Sequence, residues 1–111
     1  MEESPVNFEI GKVFRFAELV DYSEKSVVSR QVIKSERGSV TVFSFDRGEG
    51  LSEHTAPFDA LVQVIEGTAR ITIGGKEHIL NAGESVIMPA SVPHSVFAPE
   101  RFKIILTMIR G

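Results

Sequence analysis

From Val27 onward the chain carries short runs rich in Val, Ile, Phe and Thr, broken by Gly or Pro. Breaks at intervals of about 8–12 residues are the pattern of an all-β sandwich or barrel. The runs predict strands near 27–34, 39–46, 52–56, 60–66, 68–73, 76–80, 85–88, 94–98 and 102–109. Before them, residues 1–12 are mixed polar, and VFRFAELVDY (13–22) has room for one short helical turn. The expected organisation is therefore an N-terminal arm over 1–26 and a β-barrel over 27–111.

The hairpin at Gly74-Gly75 can be placed in register. A two-residue hairpin loop needs positive φ, which Gly takes cheaply, and the residues flanking it pair directly. Ile73 then faces Lys76, Ile71 faces His78 and Ala69 faces Leu80, and these three pairs form the core face. Arg70, Thr72, Glu77 and Ile79 fall on the other, mostly solvated face.

Two segments do not alternate. In ALVQVIEG (60–67), Ala60, Val62 and Val64 share one face, while Leu61 and Ile65 lie on the other. In FKIILTMIR (102–110), Phe102, Ile104, Leu106 and Met108 share a face, and Ile105 and Ile109 oppose them. A strand with one wet face alternates, so near-continuous apolar character means that both faces are covered. The expected cover for Leu61, Ile65, Ile105 and Ile109 is a second copy in a homodimer, with the N-terminal arm as the alternative.

Composition narrows the function classes. The chain has 111 residues, the size of one compact domain. Twelve Lys and Arg stand against fifteen Asp and Glu, for a net charge of −3, and no basic run invites nucleic acid or an anionic membrane. No window approaches the roughly 18 apolar residues of a membrane span, and MEESPVNFEIGK is acidic where a secretion signal is basic. A cytoplasmic location is the expectation. The chain has no Cys, so the redox compartment is not readable.

Candidate chemistry rests on His54, His78 and His94. Gly48 lies six positions before His54, and Gly67 thirteen after it. Later, GESVIMPASVPH (83–94) supplies a turn, a strand and a Pro-rich corner ending in His94. These spacings resemble the two motifs of the cupin superfamily, and GLSEHTAP, DALVQVIEG, IMPASVPH and FKIILTMI resemble its small, single-domain conserved-barrel (cupin 2) members. The resemblance spans about residues 27–111 and implies a double-stranded β-helix, or jelly-roll, barrel. It also marks departures. Ala56 and Ala60 stand where the motif has its second His and its Glu, Ser91 replaces a Gly, and Ala98 replaces an Asn.

Full cupin ligand sets imply metal enzymes such as dioxygenases, isomerases or decarboxylases; incomplete ones imply binding or sensory domains. A first-row transition ion generally takes three or four protein ligands, and only His54 and His94 are candidates here. The leading expectation is a small-molecule-binding barrel without a resident cofactor. Its pocket is formed by His54, His94, Ala56, Ala60, Phe43, Phe45, Met88 and Phe97. The alternative is a metal-dependent enzyme in which His54 and His94 hold Zn, Mn, Fe or Ni, completed by water, Asp59 or His78. Asp59 lies one residue out of register and needs a bulge to turn inward. His78 reads as a buried, hydrogen-bonded structural histidine, and Phe58 as a residue of the loop over the mouth.

Overall fold

A computed structural model describes the backbone of residues 2–4 and all of residues 10–110. The strands are β1 (Glu2–Ser4), β2 (Val27–Ser35), β3 (Gly38–Phe45), β4 (Gly50–His54), β5 (Asp59–Ile73), β6 (Lys76–Asn81), β7 (Ser85–Met88), β8 (His94–Phe97) and β9 (Phe102–Ile109). One 3-10 turn, Phe16–Glu18, precedes β2 and realises the helical turn expected over 13–22. The strands follow the order β1-β2-β3-β9-β5-β8-β4, with β6 and β7 also paired to β5. This is the all-β barrel read from the sequence.

The barrel turns on β5. Two strands were expected over 60–66 and 68–73, but a single fifteen-residue strand runs from Asp59 to Ile73. Its first half pairs with β9 and β7, and its second half with β6 and β8. Gly67 lies at the changeover with φ +76°, next to a register shift between Val64 and Glu66. The glycine therefore bends the strand instead of ending it, and the ladder passes from one sheet into the other. A Cβ at Gly67 would run into the Arg101 carbonyl, so the close approach of β9 also requires glycine.

The Gly74-Gly75 hairpin has the expected register, with Ile73, Ile71 and Ala69 opposite Lys76, His78 and Leu80. Ile71, Ala69 and Leu80 are buried. His78 is not: it is half-buried and has no hydrogen bond among the described residues. β6 pairs only with β5, so His78 occupies an edge strand with one neighbour, and the expectation of a buried, hydrogen-bonded histidine is corrected.

Inward side chains of both sheets form one core that includes Phe43, Phe45, Val62, Val64, Ile71, Phe102 and Ile104. The Phe45 and Phe102 rings stack at its centre, 4.4 Å between centroids. Val20, Val42 and Ile105 are buried apart from that core. Val42 and Ile105 are paired across β3 and β9 and point to the outer face of the sheet.

The N-terminal arm covers them. Ser44 Oγ donates to the Asp21 carbonyl (2.8 Å), and Lys103 Nζ donates to the Ala17 carbonyl (2.6 Å). The Tyr22 hydroxyl donates to the Glu66 carboxylate, with the cations of Arg101 and Lys103 over its ring. Burial, then the bond to Glu66, pushes the Tyr22 phenol well above its ordinary range. The arm, not a second copy, is thus the cover of Ile105. Leu61 and Ile65 stay half-buried, and Ile109 stays exposed.

Gly67→Ala is expected to destabilise the barrel by about 2–3 kcal/mol, combining a left-handed conformation with a backbone collision. Urea unfolding followed by fluorescence of the single tyrosine or by circular dichroism checks this. A loss below about 0.5 kcal/mol would show that the strand relaxes without its bend.

Candidate functional site

The candidate site is at one end of the barrel, where β4 and β8 bring two imidazoles together. His54 and His94 are register partners across that strand pair. His54 is solvent-exposed, whereas His94 is 4% exposed. Their Nε2 atoms are 3.1 Å apart and the rings meet edge to face, with centroids 4.3 Å apart. Each Nδ1 faces a carbonyl two residues back: Ser52 O at 2.7 Å from His54 and Val92 O at 3.2 Å from His94.

A carbonyl oxygen only accepts, so both Nδ1 atoms are assigned a hydrogen. A direct hydrogen bond between the Nε2 atoms across 3.1 Å then requires a further proton on one of them. Burial holds His94 below the ordinary imidazole range; the Val92 carbonyl opposes this, and the charge of His54 adds to it.

Below the pair lies a small apolar cavity of about 70 Å³. Phe43, Ala56, Val62, Met88, Ile104 and Met108 border it along with the two histidines. Phe43, Ala56 and Met88 were expected there. Leu51, Val62, Val96, Ile104 and Leu106 were absent from the expected set, although all border the cavity, as does Met108. Val62, Ile104, Leu106 and Met108 carried a signal, since they share the inward parity of β5 and β9. Val96 shares the parity of His94 in the same way.

Three expected pocket residues lie elsewhere. Phe45 is buried in the stack with Phe102 and does not border the cavity. Ala60 is buried between Met88 and Met108, its pairing partners, outside the lining. Phe97 is exposed because it has the opposite parity to Val96, and the Arg70 guanidinium packs 5.2 Å from its ring centroid.

The loops closing the mouth are tied together. Ser91 N–H donates to the Ala56 carbonyl (2.7 Å), and Ala90 N–H donates to Asp59 Oδ1 (2.8 Å). Ser91, at the glycine position of the motif, keeps a left-handed φ of +64°. Phe58 is half-buried beneath the Arg110 guanidinium, 5.3 Å from it.

The donor set does not fit a resident metal. Nε2 atoms 3.1 Å apart suit two ligands of one ion, but no group of three His, Cys, Asp or Glu side chains converges among the described residues. Asp59 is engaged with Ala90, and His78 does not border the cavity, so neither completes the set. Ala56 contributes only a methyl group there.

A two-sheet β-barrel with paired histidines at the mouth of an apolar cavity defines the class. The profile of the Cupin domain family matches residues 41–109, and the chain belongs to that family. Among solved structures, a conserved protein of unknown function from Streptococcus pyogenes is 31% identical, with a TM-score of 0.89 over 97% of this chain and 96% of that one. A cupin 2 conserved barrel domain protein from Leptotrichia buccalis is 39% identical, with a TM-score of 0.85 over 87% of this chain and 47% of that one. A curated relative, mannose-1-phosphate guanylyltransferase of Salmonella montevideo, is 33% identical over 93 residues, which are 83% of this chain and 17% of that protein. The chain thus matches under a fifth of that relative's length.

A pH dependence follows from His94. Its folded-state affinity for a proton is depressed, so the unfolded chain binds protons more strongly, and stability falls as pH drops below about 6.5. Urea midpoints at pH 7.5 and 5.0 should differ more for wild type than for His94→Gln. Equal slopes for the two proteins would count against a buried, proton-resisting His94.

Proposed function

We propose that this cupin is a binding protein for a small apolar molecule carrying one anionic group, such as a short-chain carboxylate. The observation that carries the proposal is the His54–His94 pair, joined Nε2 to Nε2 at 3.1 Å over a cavity otherwise lined by hydrocarbon and thioether groups. Once protonated, the pair would carry one positive charge at the cavity mouth. A carboxylate at the mouth would accept an Nε2 hydrogen of the pair in place of the other imidazole and neutralise its charge. The cavity takes an apolar tail of only a few carbon atoms, since about 70 Å³ is roughly twice the volume share of one water. Binding, not turnover, is the function this arrangement supports.

We further propose that the protein works as a homodimer joined through the part of the outer sheet that the arm leaves bare. Ile33, Ile87 and Ile109 are 61%, 61% and 66% exposed there. The register aligns Ile87, Leu61, Thr107, Val40 and Ile33 in one row across β7, β5, β9, β3 and β2. Contiguous apolar surface of this kind marks an association site.

Isothermal titration at pH 6.5 with isobutyrate and isobutyramide tests the ligand class. The acid should bind at least tenfold more tightly than the amide, and His54→Ala or His94→Ala should remove the difference while leaving the fold intact. Equal affinity for the two compounds would refute the anionic head group. For assembly, sedimentation equilibrium should show a wild-type dimer at micromolar concentration and an Ile87→Lys monomer; a monomeric wild type would refute the dimer.

A further inference from the structure

A polar cleft on the inner face of the barrel lies beside the histidine cavity and takes no part in it. It measures about 170 Å³, and its lining includes Gln31, Lys34, Ser35, Ser39, Met108 and Arg110. Met108 also borders the histidine cavity, so its side chain is the wall between the two spaces. Neither lining contains an Asp or a Glu.

A bulge aims Lys34 into this cleft. Val27 and Ser29 pair with Phe45 and Phe43, residues of the core, so alternate positions of β2 face inward as far as Gln31. Simple alternation would next turn Ile33 inward and Lys34 outward. The register instead shifts between Gln31 and Ile33, so that Ile33 pairs with Val40, and Lys34 pairs with Ser39, which is itself the partner of Met108. The lysine therefore faces inward, and Ile33 is left 61% exposed. Burial of apolar surface opposes that exchange. Arg110 is placed by other means. Its N–H donates to the Arg37 carbonyl (2.7 Å), which ties the residue after β9 to the turn between β2 and β3, and its guanidinium packs against Phe58. Neither cation has a carboxylate partner among the described residues, and Glu36 of the adjoining turn stands outside the lining. The Gln31 and Ser39 side chains make no hydrogen bond among the described residues. Ser35 Oγ accepts from the Arg37 N–H (3.2 Å) and keeps its own hydrogen to give.

We infer that this cleft is an anion site for the phosphate group of a small phosphate ester. Lys34 and Arg110 together match the charge of roughly −2 that such a group carries at neutral pH. A guanidinium offers paired N–H donors to two phosphate oxygens, an ammonium acts as a point charge, and the amide and hydroxyls add neutral donors. The volume is roughly six times the share of one water, enough for the phosphate and a stub of a few atoms. Both cations are solvent-exposed, so the site is open to a dissolved ligand. It is separate from the site of the histidine pair and stands or falls without it.

Isothermal titration of the intact chain with glycerol 3-phosphate at pH 7.5 tests the assignment, with glycerol as the neutral control. The ester should bind at one site per chain, and glycerol should give no heat. Lys34→Met and Arg110→Met should each raise the Kd at least tenfold with an unchanged circular dichroism spectrum. Lys76→Met, which removes an exposed lysine from the Gly74-Gly75 hairpin, should leave the Kd within twofold. Equal losses from Lys76→Met and Lys34→Met would reduce the effect to net charge and overturn the site. His54→Ala should also leave the Kd within twofold. Should it abolish binding while Lys34→Met does not, the phosphate sits at the histidine pair, and the cleft assignment falls while the anion-binding role of that pair stands. Equal affinity for isobutyrate and isobutyramide beside intact, Lys34-dependent binding of the ester gives the reverse result. No binding of the ester to the wild type at millimolar concentration overturns the inference.

Discussion

The barrel depends on one strand belonging to two sheets. β5 pairs with β9 and β7 before Gly67 and with β6 and β8 after it, so the bend at that glycine sets the angle between the sheets. Everything inward follows from this angle. Val62 and Val64 project into the core from one half of the strand, and Ala69 and Ile71 from the other. The Phe45–Phe102 stack fills the space between. A straight strand would separate these sets and leave Ile73 too far from β8 to pair with His94 as it does. The histidine pair is therefore a consequence of backbone geometry well removed from it in sequence.

What the site can do is set by a shortage of polar groups. His94 is buried, with one carbonyl and one imidazole as partners, and the cavity beyond offers it only hydrocarbon and thioether surfaces. In low-dielectric surroundings an ionised ring is costly, so burial holds His94 below the ordinary imidazole range. The two histidines differ in burial, His94 being buried and His54 exposed. Ala56 borders the cavity in place of a third imidazole, so the two histidines are the titratable groups of its lining.

The parts legible in the sequence were those governed by parity and turn chemistry. The Gly74-Gly75 loop determined six paired positions, all of which are found. The inward faces of β5 and β9 were separable because apolar residues two apart point the same way. Parity, however, says which face a residue occupies and not how far along the barrel it lies. Phe45 faces inward but sits too deep to border the cavity, and His78 faces inward where the sheet has already reached its edge. β4 was expected over 52–56 and occupies Gly50–His54, because Gly50 pairs with Phe97 and the chain leaves the strand after His54 towards Pro57. Ala56 thus reaches the cavity from a loop, a position no alternation rule assigns. Gly67 looked like a terminator because a strand-interior glycine and a turn glycine are the same letter; what separates them is the β9 backbone lying against it.

The arm shows why non-alternating strands need not mean a partner at every position. Ile105 and Val42 are apolar on the outer face and buried within the one chain, as is Val20 of the arm. Several polar groups around this small second core are paired. Lys103 is buried yet bonded to the Ala17 carbonyl and 3.7 Å from Glu66, while Glu66 also accepts from Tyr22. Asp46, held below the usual carboxylate range by the Arg101 guanidinium, accepts in addition from the backbone N–H of Lys25. The bonds to Ala17, Tyr22 and Lys25 join the arm to the barrel, so the arm is part of the folded unit. Its reach is finite: the seal ends before the row of Ile33, Leu61 and Ile87, and Ile109 lies beyond it. The same face is therefore divided into a half that the chain covers itself and a half whose apolar character is retained without any contact of its own, a division that packing within one copy does not account for.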